Sequence, residues 1–586
     1  MNSNLWQPID GGSYLGVVPS KRFPIYTRGN AGEVFPEVQY PLSFTISWEL
    51  SVQAFVDSVV FTGVITREEL ESDPTALVGC FGGYTYLNLS ATRVLSLRVP
   101  GSKIENVDRQ YMGASDAPPH VRRKGDRSLR GAIRGIRYGL ATLKMRDLPQ
   151  QRIDADRTDA WRKSLPDPRL LTDAELLTTM RTTQTFVAEL FRNHLIVSSQ
   201  AGVPVALLTA MCEKNLKDLS LLPSLLGGAG NVASAAPSDR LWELGRLVVG
   251  SPTLTGIFDE GISGLADRLA PGSQASPDVA AFNAAFTSFL DVHGCRGPNE
   301  WETACPTWGT EPDLAYVLVD RMRAADIDHA PATRHIGLVR DREAAIARAD
   351  ALLSKRGRKR LRQLVESASM FAQGREQAKT TVIRAIHEMR LYSLELAGRC
   401  SLKTGGRRDD LWFVTADELD DYVADPVKFD GVIAPRRAMR GRLSELEPPF
   451  IVNGTVPPLE SWARRDAVST STVSVGQKLT GIAGCPGVAR GRARVVLDPA
   501  DPRDIGPGDV LVAPITDPSW TPLFVPVEAV VVDVGALLSH AVIVSRELGI
   551  PSVVSITGAT KIIPDGALIE VDGNNGTVTV LELPAR

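Results

Sequence analysis

The sequence predicts a multi-domain protein of the α+β class, with a large, mainly helical region followed by a smaller β/α domain. Three observations support this prediction. The 586 residues exceed what one hydrophobic core usually holds. Helical periodicity dominates residues 111–465, whereas short β-branched runs typical of strands return after residue 479. Between them, residues 466–478 are rich in Ser, Thr and Val without helical periodicity, which indicates a linker.

Composition and charge exclude several classes of function. Hydrophobic residues make up 43% of the chain, charged residues 23%, and the net charge is −3, so nothing indicates a nucleic-acid footprint. The six cysteines form no CxxC pair and no metal-ligand spacing, so we expect reduced thiols and no metal site. No apolar run reaches the roughly 18 residues that a membrane span needs. The N-terminus also lacks the features of a signal peptide. We therefore predict a cytoplasmic protein that binds neither membrane nor nucleic acid.

Residues 1–110 are predicted to be β-rich and to form the first part of a 1–465 unit. Gly, Pro, aromatic and β-branched residues are frequent there. Residues 84–89 and 94–99 both alternate in polarity like half-buried strands.

A polar turn, residues 293–302, interrupts the helical pattern that follows. It carries His293, Arg296, Glu300 and Glu302 beside aromatic residues. Loops with clustered ionisable side chains are frequent binding sites, but an ion-paired corner joining two helices explains the pattern equally well.

A cationic stripe lies on the long helical stretch that is predicted from about residue 341 to 400. At 100° per residue, Arg375, Lys379 and Arg390 fall within about 60° of one another. Val382 and Ile386 share this stripe. Cations on one helix face repel each other unless an anion or carboxylates lie opposite. The stripe is therefore either an ion-pair network or a phosphate clamp.

The stretch around His540 combines a strand, a tight turn and a helix start. An apolar run at 529–533 precedes the turn at Gly535 and Ala536, and Ser539 suits the N-cap of a helix that stops at Gly549. His540 would then lie in the first turn, where free N–H groups and the helix dipole favour an anion. Such a histidine is either structural or a carrier of a phosphoryl group.

Six motifs in the C-terminal hundred residues occur in the order of one known domain. They are Gly484–Gly491, Pro507–Val512, Thr516–Trp520, Ser539–Ala541, Arg546–Pro551 and Val571–Gly573. Together they resemble the swivelling phosphohistidine domain of the phosphoenolpyruvate-utilising enzymes. The resemblance implies that His540 is phosphorylated and that Ser539 and Arg546 support it. Ala536 and Leu538 depart from the usual glycine and threonine of that family.

The upstream region is similar to the acceptor-binding parts of rifampicin phosphotransferases and phenylphosphate synthases. The matching residues are Gly32 and Glu33, Tyr86–Asn88, Arg296–Pro298 with Glu300, Arg375 and Glu376 with Lys379, and Asp409 with Asp410. This resemblance implies that Arg375 and Lys379 meet the phosphohistidine and the acceptor hydroxyl. Arg296, Arg390 and Glu376 are expected to bind the substrate. His293 or Glu300 is expected to act as base on the acceptor.

The ATP-grasp domain that normally precedes the acceptor region in this family has no room here, because the acceptor-like motifs begin by residue 30. We therefore expect a split enzyme in which an ATP-grasp partner subunit binds ATP and Mg²⁺. The expected reaction converts ATP to AMP and phosphate and leaves one phosphoryl group on His540. Phenol or cresol is the preferred acceptor. A rifamycin-type antibiotic and a non-catalytic phospho-relay are the alternatives.

Overall fold

A computed structural model of the chain confirms the α+β class, with a large helical middle and a C-terminal β/α region. It describes all residues except 1–5, 10–11, 72, 74, 100, 113–116, 229–235, 271, 273–275, 328–329, 466–472, 500, 502–504, 536–538 and 585–586.

A small antiparallel sheet joins the first strands of the chain to the end of the helical region. A hairpin of β1 (Trp6–Ile9) and β2 (Gly12–Leu15) precedes it. The sheet has the strand order β4-β5-β3-β6 and contains β3 (Ile25–Thr27), β4 (Val78–Phe81), β5 (Tyr84–Asn88) and β6 (Ile451–Asn453). Because β6 pairs with β3, the end of the helical region returns to the N-terminal strands.

The first 110 residues contain more helix than the sequence predicted. The helices are α1 (Ala31–Val34), α2 (Pro41–Phe61), α3 (Glu68–Glu71), α4 (Leu89–Leu97) and α5 (Ile104–Met112). The strand predicted at 84–89 is present as β5, but the one predicted at 94–99 is wrong. There the Asn88 carboxamide oxygen accepts the Ala91 N–H at 2.9 Å and caps α4, and one helix face then buries the apolar residues.

Helices fill the middle of the chain. They are α6 (Leu129–Lys144), α7 (Pro149–Ser164), α8 (Asp173–Met211), α9 (Leu221–Leu226), α10 (Ala236–Val249), α11 (Pro252–Asp259), α12 (Leu265–Leu269), α13 (Pro277–His293), α14 (Asp313–Ala324), α15 (Pro331–Leu352), α16 (Lys355–Thr404), α17 (Leu419–Ala424) and α18 (Asp430–Ser444). The 50-residue α16 packs along α8, with Val197 of α8 in one apolar cluster with Phe371 and Ala378 of α16.

One helical stretch, Asp173–Leu216, is long and apolar enough to cross a membrane by length and composition. About a third (33%) of its most apolar 18-residue window is buried in the protein, where α8 packs along α16. The cytoplasmic location stays a prediction.

The C-terminal domain is built on one mixed eight-stranded sheet of order β7-β14-β13-β9-β10-β11-β12-β8. Its elements are β7 (Lys478–Thr480), β8 (Ile482–Cys485), β9 (Val488–Val495), β10 (Asp509–Ala513), α19 (Thr521–Phe524), β11 (Ala529–Val532), α20 (His540–Leu548), β12 (Ser552–Val554), α21 (Ala559–Ile562), β13 (Leu568–Asp572) and β14 (Thr577–Glu582). Strands β9 to β12 run parallel, so the ends of β10 and β11 carry their loops to the same edge.

The predicted linker at 466–478 lies partly outside the described residues, which resume at 473. The part that is described belongs to the C-terminal domain. Val473 is buried in the core of its sheet, and the Gly476 N–H donates to the Val580 carbonyl at 2.8 Å. Any flexible joint is therefore shorter than predicted.

The C-terminal domain lies against the helical region through apolar and polar contacts. One hydrophobic cluster joins residues of α10, α13 and α14 to residues of α19, α20 and the sheet. Polar bridges surround it. The Asn299 N–H donates to Asp517 Oδ2 at 3.1 Å, and Lys561 forms an ion pair with Glu447.

The turn after β3 allows no side chain at Gly29, because a Cβ there would overlap the carbonyl oxygen of Tyr111. We expect Gly29→Ala to force the β3–α1 turn away from α5 and to lower the melting temperature by several degrees, as losses of about 1–3 kcal/mol do. The control is Gly256→Ala, which meets no atom within 4 Å inside α11 and should be neutral or slightly stabilising. Equal melting temperatures for both variants would contradict the close approach at Gly29.

Candidate functional site

His540 is the first residue of α20 and lies half-buried where the C-terminal domain meets the helical region. Ser539 occupies the N-cap position with extended backbone, and Gly549 ends the helix in the left-handed conformation, as predicted. The Ser539 hydroxyl, however, has no hydrogen-bond partner among the described residues. Instead, Glu33 Oε2 of the helical region accepts the His540 N–H at 3.4 Å. A carboxylate therefore already occupies the helix terminus, where the dipole favours an anion.

Two buried threonines flank the His540 imidazole. Thr516 Oγ1 lies 3.1 Å from Nδ1, and Thr521 Oγ1 lies 3.1 Å from Nε2. A hydroxyl either donates or accepts, so the pair matches either neutral tautomer. Both come from the segment that follows β10. A group added to one ring nitrogen displaces one hydroxyl and leaves the other to hold the ring.

Three cations face the imidazole, and we call Arg296, Arg375 and Lys379 the cation cluster. Burial lowers the pKa of His540 well below its usual value, and Lys379, Arg296 and Arg375 lower it further. The imidazole is therefore neutral at physiological pH and has an unprotonated nitrogen available for nucleophilic attack. A negatively charged group attached to it would be attracted by the same cations.

Buried carboxylates hold the cation cluster in place. Glu300 is fully buried and lies 3.0 Å from Arg296 Nη1 and 3.5 Å from Lys379 Nζ. Glu376, also buried, lies 3.3 Å from Arg375 Nη1. Glu300 and Glu376 thus hold the three cations from behind, and Glu33 faces Arg375 and Lys379 from the side of His540.

Several residues predicted to be in the site have other roles. Glu300 was expected as a base, but both of its oxygens are occupied by Arg296 within the core. Glu376 was expected to contact substrate, but it is buried behind Arg375. Arg390 was expected on the cationic face, but it is fully buried and donates to the carbonyls of Glu300 at 2.9 Å and Glu302 at 3.0 Å. It fixes the shape of the polar turn.

His293 does not contact His540 in the part of the chain that the structure describes. It is the last residue of α13, and its ring lies 5.4 Å from the ring of Phe289. Burial, with help from Arg296, lowers the pKa of His293 to about 4. Its expected role as acceptor base has no geometric support.

Arg546 supports its own domain, because its Nε donates to the Gly484 carbonyl at 2.9 Å and joins α20 to β8. Its predicted role in supporting the phosphohistidine stays a prediction. Ala536 and Leu538, the two departures from the family pattern, lie outside the described residues.

The sequence reasoning missed Glu33, Thr516, Thr521 and His194 as site residues. Glu33 and Thr516 lie within the family motifs, but no local sequence pattern assigned a role to either residue. His194 of α8 is buried beside Trp301, and its Nδ1 has no hydrogen-bond partner among the described residues. Burial and then Arg375 lower the pKa of His194 to about 3.

An apolar cavity of about 100 Å³ lies along α16, the helix that also carries Arg375 and Lys379. Val382 and Ile386 of α16 line it, one and two helical turns beyond Lys379. Six aromatic residues are part of its walls: Phe35, Phe44, Trp48, Phe55, Phe191 and Trp301. A concave apolar site with few polar groups is typical of small-molecule binding.

Two family models match parts of the chain. Residues 194–376 match the fourth domain of rifampicin phosphotransferase, and residues 505–576 match the mobile domain of PEP-utilising enzymes. The first match contains the polar turn and Arg375, and the second contains His540 with both threonines.

Curated relatives match the same regions. The prodigiosin synthesizing transferase PigC of Serratia marcescens is 26% identical over 96% of this chain and 63% of its own length. A rifampicin phosphotransferase of a Streptomyces species is 30% identical over 56% of this chain and 37% of its own. That of Bacillus subtilis is 25% identical over 50% of this chain and 34% of its own. The chain therefore spans from about a third to less than two thirds of these relatives.

Substitution of Glu300 tests the buried ion-pair network. We expect Glu300→Gln to lower the free energy of unfolding by about 3–5 kcal/mol, because Arg296 is left buried without its counter-charge. Urea denaturation followed by circular dichroism measures the loss. Glu243→Gln, which removes one partner of the exposed Arg240–Glu243 pair, is the control and should cost under about 1 kcal/mol. Similar small losses in both variants would show that Glu300 does not balance the cluster.

Proposed function

Because this chain belongs to the PEP-utilising enzymes related to rifampicin phosphotransferase, we propose that it is a phosphotransferase whose carrier is His540. One observation carries the proposal: the neutral imidazole of His540 in the C-terminal domain faces the cation cluster of the helical region. A phosphoryl group is loaded onto one ring nitrogen and then passed to a hydroxyl on an acceptor bound in the apolar cavity.

The charges of the site favour delivery from phosphohistidine. The added phosphoryl group brings negative charge to the start of α20, where the helix dipole and the cation cluster stabilise it. In a loose phosphoryl-transfer transition state, charge spreads over the equatorial oxygens, so fixed cations are the main requirement. Arg375 and Lys379 are the cations proposed to neutralise it, with Arg296 behind them.

The cavity favours an aromatic acceptor. Its aromatic walls suit a planar ring, and phenol or cresol would be the smallest acceptors of this class. A rifamycin-type acceptor, suggested by the names of two relatives, is the second candidate. A non-catalytic phospho-relay is disfavoured, because a relay needs no apolar acceptor cavity.

The source of the phosphoryl group is proposed to be ATP, bound with Mg²⁺ by an ATP-grasp unit outside these residues. A separate partner subunit is the arrangement that the sequence predicted, and it stays a prediction. Incubation of the chain with a candidate ATP-grasp partner, ATP and a panel of phenols and rifamycins tests the whole proposal. AMP release that requires both proteins, together with a phosphorylated acceptor, is the expected result.

Substitution of His540 tests the carrier. We expect His540→Ala to abolish both phosphoprotein formation and transfer, because no other residue is proposed to hold the phosphoryl group. Mass spectrometry of the intact protein, treated with the small-molecule donor phosphoramidate, detects the added group. Retained acceptor phosphorylation by the variant would eliminate the carrier model.

Substitution of Lys379 tests the cation cluster. We expect Lys379→Gln to slow transfer from preloaded protein by about 10²–10³-fold, the effect of removing one group that stabilises transition-state charge. Single-turnover decay of the phosphoprotein in the presence of acceptor measures the rate. Lys403→Gln on the same helix, which removes an exposed ion pair with Asp173, should leave the rate unchanged. Equal rates in both variants would exclude Lys379 from the transfer step.

A further inference from the structure

Glu33 is held in place by a rigid framework. It lies on the one-turn helix α1, directly after β3. The buried Arg28 guanidinium donates to the carbonyls of Phe35 at 2.8 Å and Thr85 at 2.7 Å, and so ties the segment after Glu33 to β5. The Gly32 N–H donates back to the Arg28 carbonyl at 2.7 Å. The position of the Glu33 backbone is therefore fixed on both sides.

Glu33 has one carboxylate oxygen without a partner. Oε2 accepts the His540 N–H, whereas Oε1 forms no hydrogen bond or ion pair among the described residues. The charged and titratable groups that face it are His540 on α20 and Arg375 and Lys379 on α16.

The other acidic groups near the imidazole are already occupied. Glu300 and Glu376 hold the cation cluster, and Asp517 accepts from Ser519 and Asn299. Glu33 contacts His540 directly and keeps its other carboxylate oxygen available to meet a hydroxyl.

We propose that Glu33 is the general base that removes the proton from the acceptor hydroxyl during transfer. This inference rests on the proposed carrier function of His540 and adds to it the residue that activates the acceptor. It replaces His293 and Glu300, which the sequence suggested for this role.

The proposed step balances in atoms and charge. The acceptor oxygen attacks phosphorus and forms the new P–O bond while the P–N bond to His540 breaks. The bonding electrons return to the ring nitrogen, and the imidazole leaves as a neutral group because its other nitrogen keeps a proton, hydrogen-bonded to a threonine hydroxyl. The proton of the acceptor hydroxyl passes to Glu33.

The protonation of Glu33 suits this role. Burial raises the pKa of Glu33 to about 7, although the His540 N–H, Arg375 and Lys379 each act to lower it. Below this pKa the carboxyl is protonated and cannot accept a proton, so transfer should quicken as pH rises through it. A phosphoryl dianion on His540 repels the Glu33 carboxylate and raises the pKa of Glu33 further. The increase in transfer rate should therefore occur at or above pH 7.

The test uses the full chain loaded with phosphoramidate and follows loss of the phosphoryl group from His540 to water, phenol or 4-nitrophenol. General bases contribute roughly 10²–10⁴-fold, so Glu33→Gln should slow transfer to phenol and water by about 10²-fold or more. It should slow transfer to 4-nitrophenol much less, because a more acidic hydroxyl needs less help. The variant should also lose the rise in rate with pH. Glu37→Gln on the neighbouring segment, which removes a half-exposed pair with Arg465, is the matched control and should behave as wild type.

The outcomes separate the two proposals. If wild-type protein is not loaded at His540, the carrier function fails, and the role of Glu33 fails with it. If Glu33→Gln is loaded normally but transfers to all three acceptors at the wild-type rate, only the base is overturned. A uniform loss for all three acceptors with the pH profile unchanged would make Glu33 a positioning residue and would also overturn the base.

Discussion

The buried carboxylate of Glu300 is the group on which the site depends. It lies within ion-pair distance of Arg296 on its own turn and of Lys379 on α16. One carboxylate therefore fixes two cations from different segments, and it does so at zero exposure, where competition from water is absent. The Arg390 guanidinium completes the turn by binding its carbonyls. The polar turn is thus an ion-paired corner, and its role in binding stays a proposal.

The cation cluster favours the phosphorylated form of His540 over the protonated form. The pKa of the unmodified imidazole falls first because the ring is buried and then because protonation would add a fourth positive charge beside the cation cluster. A phosphorylated imidazole is attracted by the same groups. Above its pKa of about 7, Glu33 supplies a negative charge at the start of α20 when no phosphoryl group is present.

Local patterns in the sequence predicted the C-terminal domain well because its strands are continuous apolar runs and its helix has clear end signals. The N-terminal part was harder, since six residues at 94–99 fit an alternating strand and one face of α4 equally. Helical periodicity places Arg390 on the same face of α16 as Arg375. It does not show that the polar turn covers the end of that face that carries Arg390. The role of Glu33 depends on a contact with a residue 507 positions later. No local pattern contains such information, although the family motif did mark the position.

The apolar contact between the two units constrains any movement of the carrier. Residues of α19 and α20 share a hydrophobic cluster with α10, α13 and α14, so a domain that swings away exposes apolar surface on both sides. Under the proposed carrier function, the unit that phosphorylates His540 therefore has to cover the same face of α19 and α20 that the helical region covers here. Since His540 begins α20, that face and the reactive nitrogen travel together. A unit that covers the face also brings its own catalytic groups to the imidazole. Under the proposed carrier function, binding of the domain would then also align the phosphoryl group, both where His540 is loaded and where it delivers to the acceptor.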